Sequence, residues 1–128
     1  MGDPFKPRYV RPTIIVLDSE NRILLVRYCE DNSWGIPGGM MEIGESVDES
    51  ARRELLEETG LTAKNMTLKA AIVYKEILNI VFVANEYTGE LRSDGVETNE
   101  AHFFSLANLP ENLNPFIRQS LMQLANGL

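Results

Sequence analysis

The chain has 128 residues, enough for one domain with a sizeable core. Its 44% hydrophobic and 24% charged residues exclude a disordered polymer, and no apolar run approaches the roughly 18 residues of a membrane span. A net charge of −7 excludes the broad basic surface on which duplex-DNA binding relies, so neither duplex nucleic acid nor a membrane is an expected partner.

The N-terminal MGDPFKPRYV has no apolar signal-peptide core, so a cytoplasmic location is expected. Thr13–Leu17 is a β-branched apolar run and predicts a buried strand. Asp18–Asn21 predicts a hairpin loop, and Ile23–Tyr28 a returning strand. Asp31–Gly39, with three glycines and a proline, predicts a loop. Ser46–Thr59 is the clearest helix: Ser46 and Glu49 make a capping box, and Gly60 suits the residue just past the end. Thr67–Tyr74 and Ile77–Ala84 predict paired strands, and His102–Ser105 a short one. Asn114 can cap a last helix opening with Pro115, along which Phe116, Ile117, Leu121 and Leu124 form an apolar stripe. These elements predict a mixed α/β or α+β fold, with residues 1–128 as a single domain.

The charge is uneven. Residues 42–58 hold seven acids against Arg52 and Arg53, a net of −5, which leaves −2 for the rest of the chain. On the 46–59 helix each residue advances about 100°, so Glu58 lies near +40° and Glu57 near −60° from Glu54. Val47, Ala51 and Leu55 fall at about +20°, +60° and +100° and form the natural buried stripe. The acid arc therefore adjoins the core side. Like charges at these spacings repel, and their partial burial is costly unless they are paired or metal-bound. Arg53 can compensate one acid, whereas Arg52 points elsewhere. A hard divalent cation, Mg²⁺ or Mn²⁺, resolves the rest. Pro37-Gly38-Gly39, just upstream, lets backbone approach a ligand closely. The competing reading is a solvated acidic helix face. One cysteine, Cys29, and one histidine, His102, exclude Cys-rich and His-pair metal chemistry.

Gly39, five residues, Glu45, seven residues, then Arg53-Glu54-Leu55-Leu56-Glu57-Glu58-Thr59-Gly60-Leu61 resembles the complete Nudix box, G-x5-E-x7-R-E-U-x-E-E-x-G-U with U aliphatic. Trp34–Gly39 ahead of it resembles the family order, and Glu100–Phe104 with Leu109-Pro110 resembles the E-x-x-W-F…L-P tail, with Phe103 in place of Trp. The resemblance covers about residues 9–126. It implies an α/β/α Nudix sandwich, a mixed sheet with helices on both sides. It implies Mg²⁺-dependent hydrolysis (Mn²⁺ as substitute) of a nucleoside diphosphate linked to another moiety. Glu54, Glu57 and Glu58 are then metal ligands, joined by the Gly38 or Gly39 carbonyl, while Glu45 and Arg53 form a supporting ion pair. Glu54 is the first choice of general base, and Glu97 or Glu100 from a later loop the second. Homodimers are frequent in the family.

Arg8, Arg11 and Arg27 are candidates for holding phosphate, with Arg27 favoured. Tyr28, Tyr74 and Phe103 are candidates for stacking on a base, although strand aromatics are commonly core. Trp34 beside the glycines reads as a packing anchor, and His102 and Cys29 as structural. Subfamily markers downstream of the box are missing: no proline stands between Pro37 and Pro110, and Tyr74 lies too close to match the tyrosine of dinucleoside polyphosphate hydrolases. Elimination leaves a nucleoside triphosphate pyrophosphohydrolase or a broad-specificity enzyme. An ADP-ribose or nucleotide-sugar pyrophosphatase is the alternative, and a nucleotide-sensing module without catalysis is the alternative of another class.

Overall fold

The computed structural model describes residues 6–92 and 98–125. In chain order they form β1 (Tyr9–Val16), β2 (Ile23–Tyr28), β3 (Trp34–Gly35), α1 (Val47–Thr59), β4 (Leu61–Ala63), β5 (Thr67–Tyr74), β6 (Ile77–Ala84), β7 (Tyr87–Gly89), β8 (Thr98–Phe104) and α2 (Pro115–Ala125), with a 3-10 turn at Leu106–Asn108. Among the described residues no helix is long and apolar enough to cross a membrane.

The continuous apolar runs are explained by burial on both faces. Ile14 and Val16 of β1, Leu24 and Val26 of β2, and Phe82 and Ala84 of β6 face Ala51 and Leu55 of α1. Their neighbours Ile15, Leu17, Ile23, Leu25, Val81 and Val83 face Ile117 and Leu121 of α2. The result is an α/β/α sandwich with a helix on each side of the strand layer. Within that layer β1, β6 and β5 form a mixed sheet, β1 parallel to β6 and β5 antiparallel to it. β3, β2 and β8 form an antiparallel sheet, and β4 pairs with β7.

The expected hairpin between the first two strands is only local. The chain turns back through a bond from the Asp18 N–H to the Arg22 carbonyl, 3.1 Å, but β1 and β2 join different sheets and share a single bridge, Leu17 to Ile23. The reason is a competitor for the edge of β1. The Ile14 N–H donates to the Pro37 carbonyl at 3.0 Å, and the Gly39 N–H donates to the Pro12 carbonyl at 3.3 Å. The glycine segment is thereby inserted where β2 would otherwise continue the ladder.

α1 begins and ends as its sequence dictates. Ser46 Oγ accepts the Glu49 N–H at 3.4 Å, and Gly60, at φ 82°, donates to the Leu56 carbonyl at 2.9 Å. The other half of the expected capping box, the Glu49 carboxylate on the Ser46 N–H, is not formed among the described residues; the Ser46 hydroxyl donates to Asp48 Oδ1 at 2.7 Å. Asn114 Oδ1 accepts the Phe116 N–H at 2.8 Å and so caps α2 as predicted.

Candidate active site

The acid arc and the glycine segment meet at a cleft of about 620 Å³. Glu54, Glu57, Gly38, Gly39 and Arg53 line it, together with Arg11, Tyr28 and Glu42. The burial order follows the helical wheel. Glu58, closest to the buried stripe, is 4% exposed and Glu54 is 8% exposed, while the Glu57 side chain remains 56% exposed.

Both glycines are needed for space. A β-carbon on Gly39 would stand 2.6–2.8 Å from the Glu54 carboxylate, and one on Gly38 would stand 2.6 Å from the Pro12 carbonyl. Gly39→Ala is therefore expected to push the Glu54 carboxylate aside and reduce turnover at least about tenfold, with a smaller effect on melting temperature. Gly44→Ala, which meets no atom within 4 Å but requires φ +87°, should cost about 1 kcal/mol of stability and leave turnover alone. Steady-state kinetics and thermal melts on both variants separate the two effects.

Arg53 organises the acids. Its Nε donates to Glu45 Oε2 at 2.6 Å and its Nη2 to Glu45 Oε1 at 3.1 Å and to the Met40 carbonyl at 3.2 Å. Its Nη1 donates to Glu54 at 2.9 Å and to Glu57 at 3.2 Å. All five donors are thus engaged, and three acids are compensated where the sequence suggested one. The bond from Arg53 holds the Glu45 carboxyl below its ordinary range, and the same contacts push the guanidinium further up. Arg52 turns to Asp48, 3.7 Å away, as expected.

Glu58 lacks such a partner. Neither of its carboxylate oxygens, both fully buried, has a hydrogen-bond partner among the described residues. Burial, reinforced by the neighbouring Glu54, raises its pKa to about 9, with the positive charge of Arg11 pulling the other way. The donor set suits a hard divalent cation: carboxylate oxygens, two of them orphaned, beside a backbone approach that a side chain would block. Among the described residues, however, no three such side chains converge in ligating geometry, because Glu57 is drawn to Arg53.

Several predicted contacts lie elsewhere. Arg27 pairs with Glu100 at 3.1 Å across β2 and β8, outside the cleft, and Arg8 pairs with Glu76 at 3.7 Å, also outside it. The pleat explains this. Tyr28 shares the α1 face with Leu24 and Val26, so Arg27 must point to the opposite face. Glu100, opposite Arg27 in the register, is removed from the cleft for the same reason. Glu97 lies outside the described residues. Arg11 is the arginine that reaches the site: its Nη2 donates to Tyr28 Oη at 3.1 Å and to the Gly38 carbonyl at 3.3 Å.

A second cavity of about 300 Å³, which the sequence did not disclose, adjoins the cleft and shares Arg11, Tyr28 and Ser33 with it. Trp34, Tyr74, Phe116, Asn79 and Asn114 line it. Tyr74 stacks on Phe116 with ring centroids 4.3 Å apart and planes at 11°, and Trp34 packs edge-on against Phe104. Trp34 is thus both packing anchor and wall. Phe103 instead stacks on Tyr87 on the α1 side, away from this cavity. The elements that meet here are β3, the start of α2 and the β5–β6 turn, so only long-range packing assembles the cavity.

Comparison with known proteins agrees with this geometry. The NUDIX domain profile matches residues 7–124. A Methanocaldococcus jannaschii protein named ADP-ribose pyrophosphatase is 34% identical over 115 residues, covering 80% of this chain and 68% of that protein. A Bacillus subtilis protein provisionally named 8-oxo-dGTP diphosphatase is 34% identical over 119 residues, covering 89% and 78%. The crystal structure of a MutT NUDIX hydrolase from Burkholderia pseudomallei superimposes with a TM-score of 0.81 at 26% identity, covering 91% of this chain and 97% of that one. With the complete box carried by the glycine loop and α1, these matches place the chain in the Nudix family of hydrolases, enzymes that act on phosphorus-containing anhydrides.

Proposed function

We propose that the chain hydrolyses the pyrophosphate link of a nucleoside diphosphate derivative, with a nucleoside triphosphate as the first-choice substrate and Mg²⁺ as the metal (Mn²⁺ as substitute). The observation that carries this reading is Glu54 held against Gly39 at an acidic cleft, with the buried Glu58 beside it and its oxygens unpartnered. An anionic diphosphate binds such a cleft only when cations offset the carboxylates.

Glu54, Glu57, Glu58 and the Gly38 carbonyl are the residues that hold the metal in this reading. When bound, the metal neutralises phosphate charge and lowers the pKa of a coordinated water. Glu54 takes the proton of the attacking water as its oxygen adds to phosphorus, and the leaving phosphate departs with the bridging oxygen. Arg53 and Glu45 fix α1 against the loop that carries Gly38 and Gly39. The aromatic cavity takes the base, with Trp34, Tyr74 or Phe116 as stacking surfaces and Asn79 and Asn114 as hydrogen-bonding groups.

A second reading, an ADP-ribose or nucleotide-sugar pyrophosphatase, is favoured by the relative bearing the ADP-ribose pyrophosphatase name. One screen separates the two: hydrolysis of (d)NTPs, oxidised nucleotides, ADP-ribose, nucleotide sugars and dinucleoside polyphosphates in ¹⁸O-labelled water. The label identifies the phosphorus attacked. Pyrophosphate and a monophosphate from a triphosphate support the first reading, whereas turnover confined to ADP-ribose replaces it by the second. Glu57→Gln is expected to lower turnover by about two orders of magnitude or more with the melting temperature nearly unchanged, because Glu57 is half exposed. Full activity in that variant removes Glu57 from the ligand set.

A further inference from the structure

The two cavities share one cation. Arg53 also faces the carboxylate cleft, but all its donors are spent on Glu45, Glu54, Glu57 and the Met40 carbonyl. Lys75 belongs to the aromatic cavity alone, its Nζ 5.4 Å from the centre of the Tyr74 ring. Arg11 lines both.

Arg11 is also held in a fixed pose with donors to spare. Tyr28 Oη donates its proton to the Ile36 carbonyl at 2.9 Å, so its lone pair is turned to Arg11 Nη2. The Gly38 carbonyl takes the second Nη2 proton. Burial pushes the Tyr28 phenol up, which keeps it neutral and preserves this polarity. Nη1 and Nε have no partner among the described residues, which leaves three N–H groups of a permanent cation free to donate to phosphoryl oxygens.

Resting on the nucleotide-hydrolase reading above, we propose that Arg11 is the phosphate anchor of this enzyme: it grips the phosphoryl group next to the nucleoside where the base cavity opens into the carboxylate cleft. Its position then determines which phosphorus lies nearest Glu54. A base in the aromatic cavity and its first phosphate on Arg11 leave the following anhydride oxygen over the acids. The contact comes from β1, and its holder, Tyr28, comes from the end of β2. Arg27, adjacent in sequence to Tyr28, is excluded by the pleat and by its pairing with Glu100.

The test is calorimetric binding of the α,β-methylene analogues of ADP and GDP with Mg²⁺, which cannot be cleaved at the α–β link. Adenosine and guanosine serve as phosphate-free controls. Arg11→Gln should weaken the tighter-binding analogue at least about tenfold while leaving its nucleoside unchanged, and Arg11→Lys should recover part of the loss. Arg11→Lys also serves if Arg11→Gln melts too low to titrate. Wild-type affinity in Arg11→Gln, an equal loss in Arg27→Gln, an equal loss for the nucleoside, or no analogue binding by the wild type overturns the proposal. If Arg11→Gln loses the analogue while the wild type hydrolyses nothing in the substrate screen, the anchor stands and the hydrolytic reading falls.

Discussion

Glu58→Gln is expected to lower turnover at least about a hundredfold and, in metal-free protein, to raise the melting temperature. Opposite signs are the diagnostic feature, because a variant that merely damaged the fold would lose both. The turnover loss follows from removing one of the two buried carboxylates proposed to hold the metal. The stability gain follows from the state of Glu58 in the fold, buried, without a partner and beside Glu54. Its folded pKa, about 9, stands above the value of 4.5 for a free carboxyl. Between those values the unfolded chain has released the proton while the folded chain retains it, so the metal-free protein loses stability as pH rises. Across the window the effect is on the order of a few kcal/mol. Asp18, Asp31, Asp48 and Glu45 are shifted downward, so their contributions change below this window and do not mask the slope. Glutamine should flatten the slope, and its unpaired amide offsets part of the gain, leaving on the order of 1–2 kcal/mol at neutral pH. Thermal melts from pH 5 to 9 in EDTA and in Mg²⁺ check each element. Mg²⁺ should stabilise the wild type most at high pH and Glu58→Gln much less. A metal-free Glu58→Gln that melts below the wild type would falsify the description of Glu58 as a strained, unpaired acid.

The second large effect is expected at Arg53. Arg53→Ala removes a guanidinium with all five donors in use, next to Glu45 and Glu54, whose side chains are only 14% and 10% exposed. Breaking a fully buried pair by deleting one partner costs ~3–5 kcal/mol. Arg53 is itself 22% exposed and Glu57 56% exposed, so roughly 2–4 kcal/mol is expected, a fall in melting temperature on the order of 10 °C. Turnover should fall about a hundredfold as well, because Glu45 no longer ties the glycine loop to α1. Arg53→Lys keeps the charge but cannot serve Glu45, Glu54 and Glu57 at once, so it should lie between. Melts and kinetics on the pair decide the matter: an Arg53→Ala protein that melts like the wild type would show that the network is solvated and energetically idle.

The local features of this molecule were written in its sequence. α1 has its cap, its left-handed glycine terminus and its apolar stripe within 15 residues, all governed by contacts one turn apart. The wheel on that helix set the acid arc against the core side, where Glu58 and Glu54 are buried. The box spacing fixed which acids share a face and which arginine stands among them. The pairing of the 67–74 and 77–84 strands was equally readable, because only two residues, Lys75 and Glu76, separate them.

Tertiary structure decided what depends on partners distant in the chain. Asp18–Asn21 has the composition of a hairpin, yet β1 and β2 part because Pro37 and Gly39 claim the backbone groups on the edge of β1. Arg27 was favoured over Arg11 as a phosphate ligand because the family that the box resembles often carries basic residues in its second strand. Which side of the layer it would face depended on α1 covering the side of Val26 and Tyr28. The aromatic cavity joins residues 34, 74 and 116, and no local pattern connects them. Residue spacing along a single helix or turn is set by backbone geometry that every chain shares, so the sequence alone determined the acidic helix. Which strand edge is occupied, which pleat face is covered and which arginine reaches the cleft are set by competition among distant segments for the same hydrogen bonds and the same space, and only the packed fold resolves that competition.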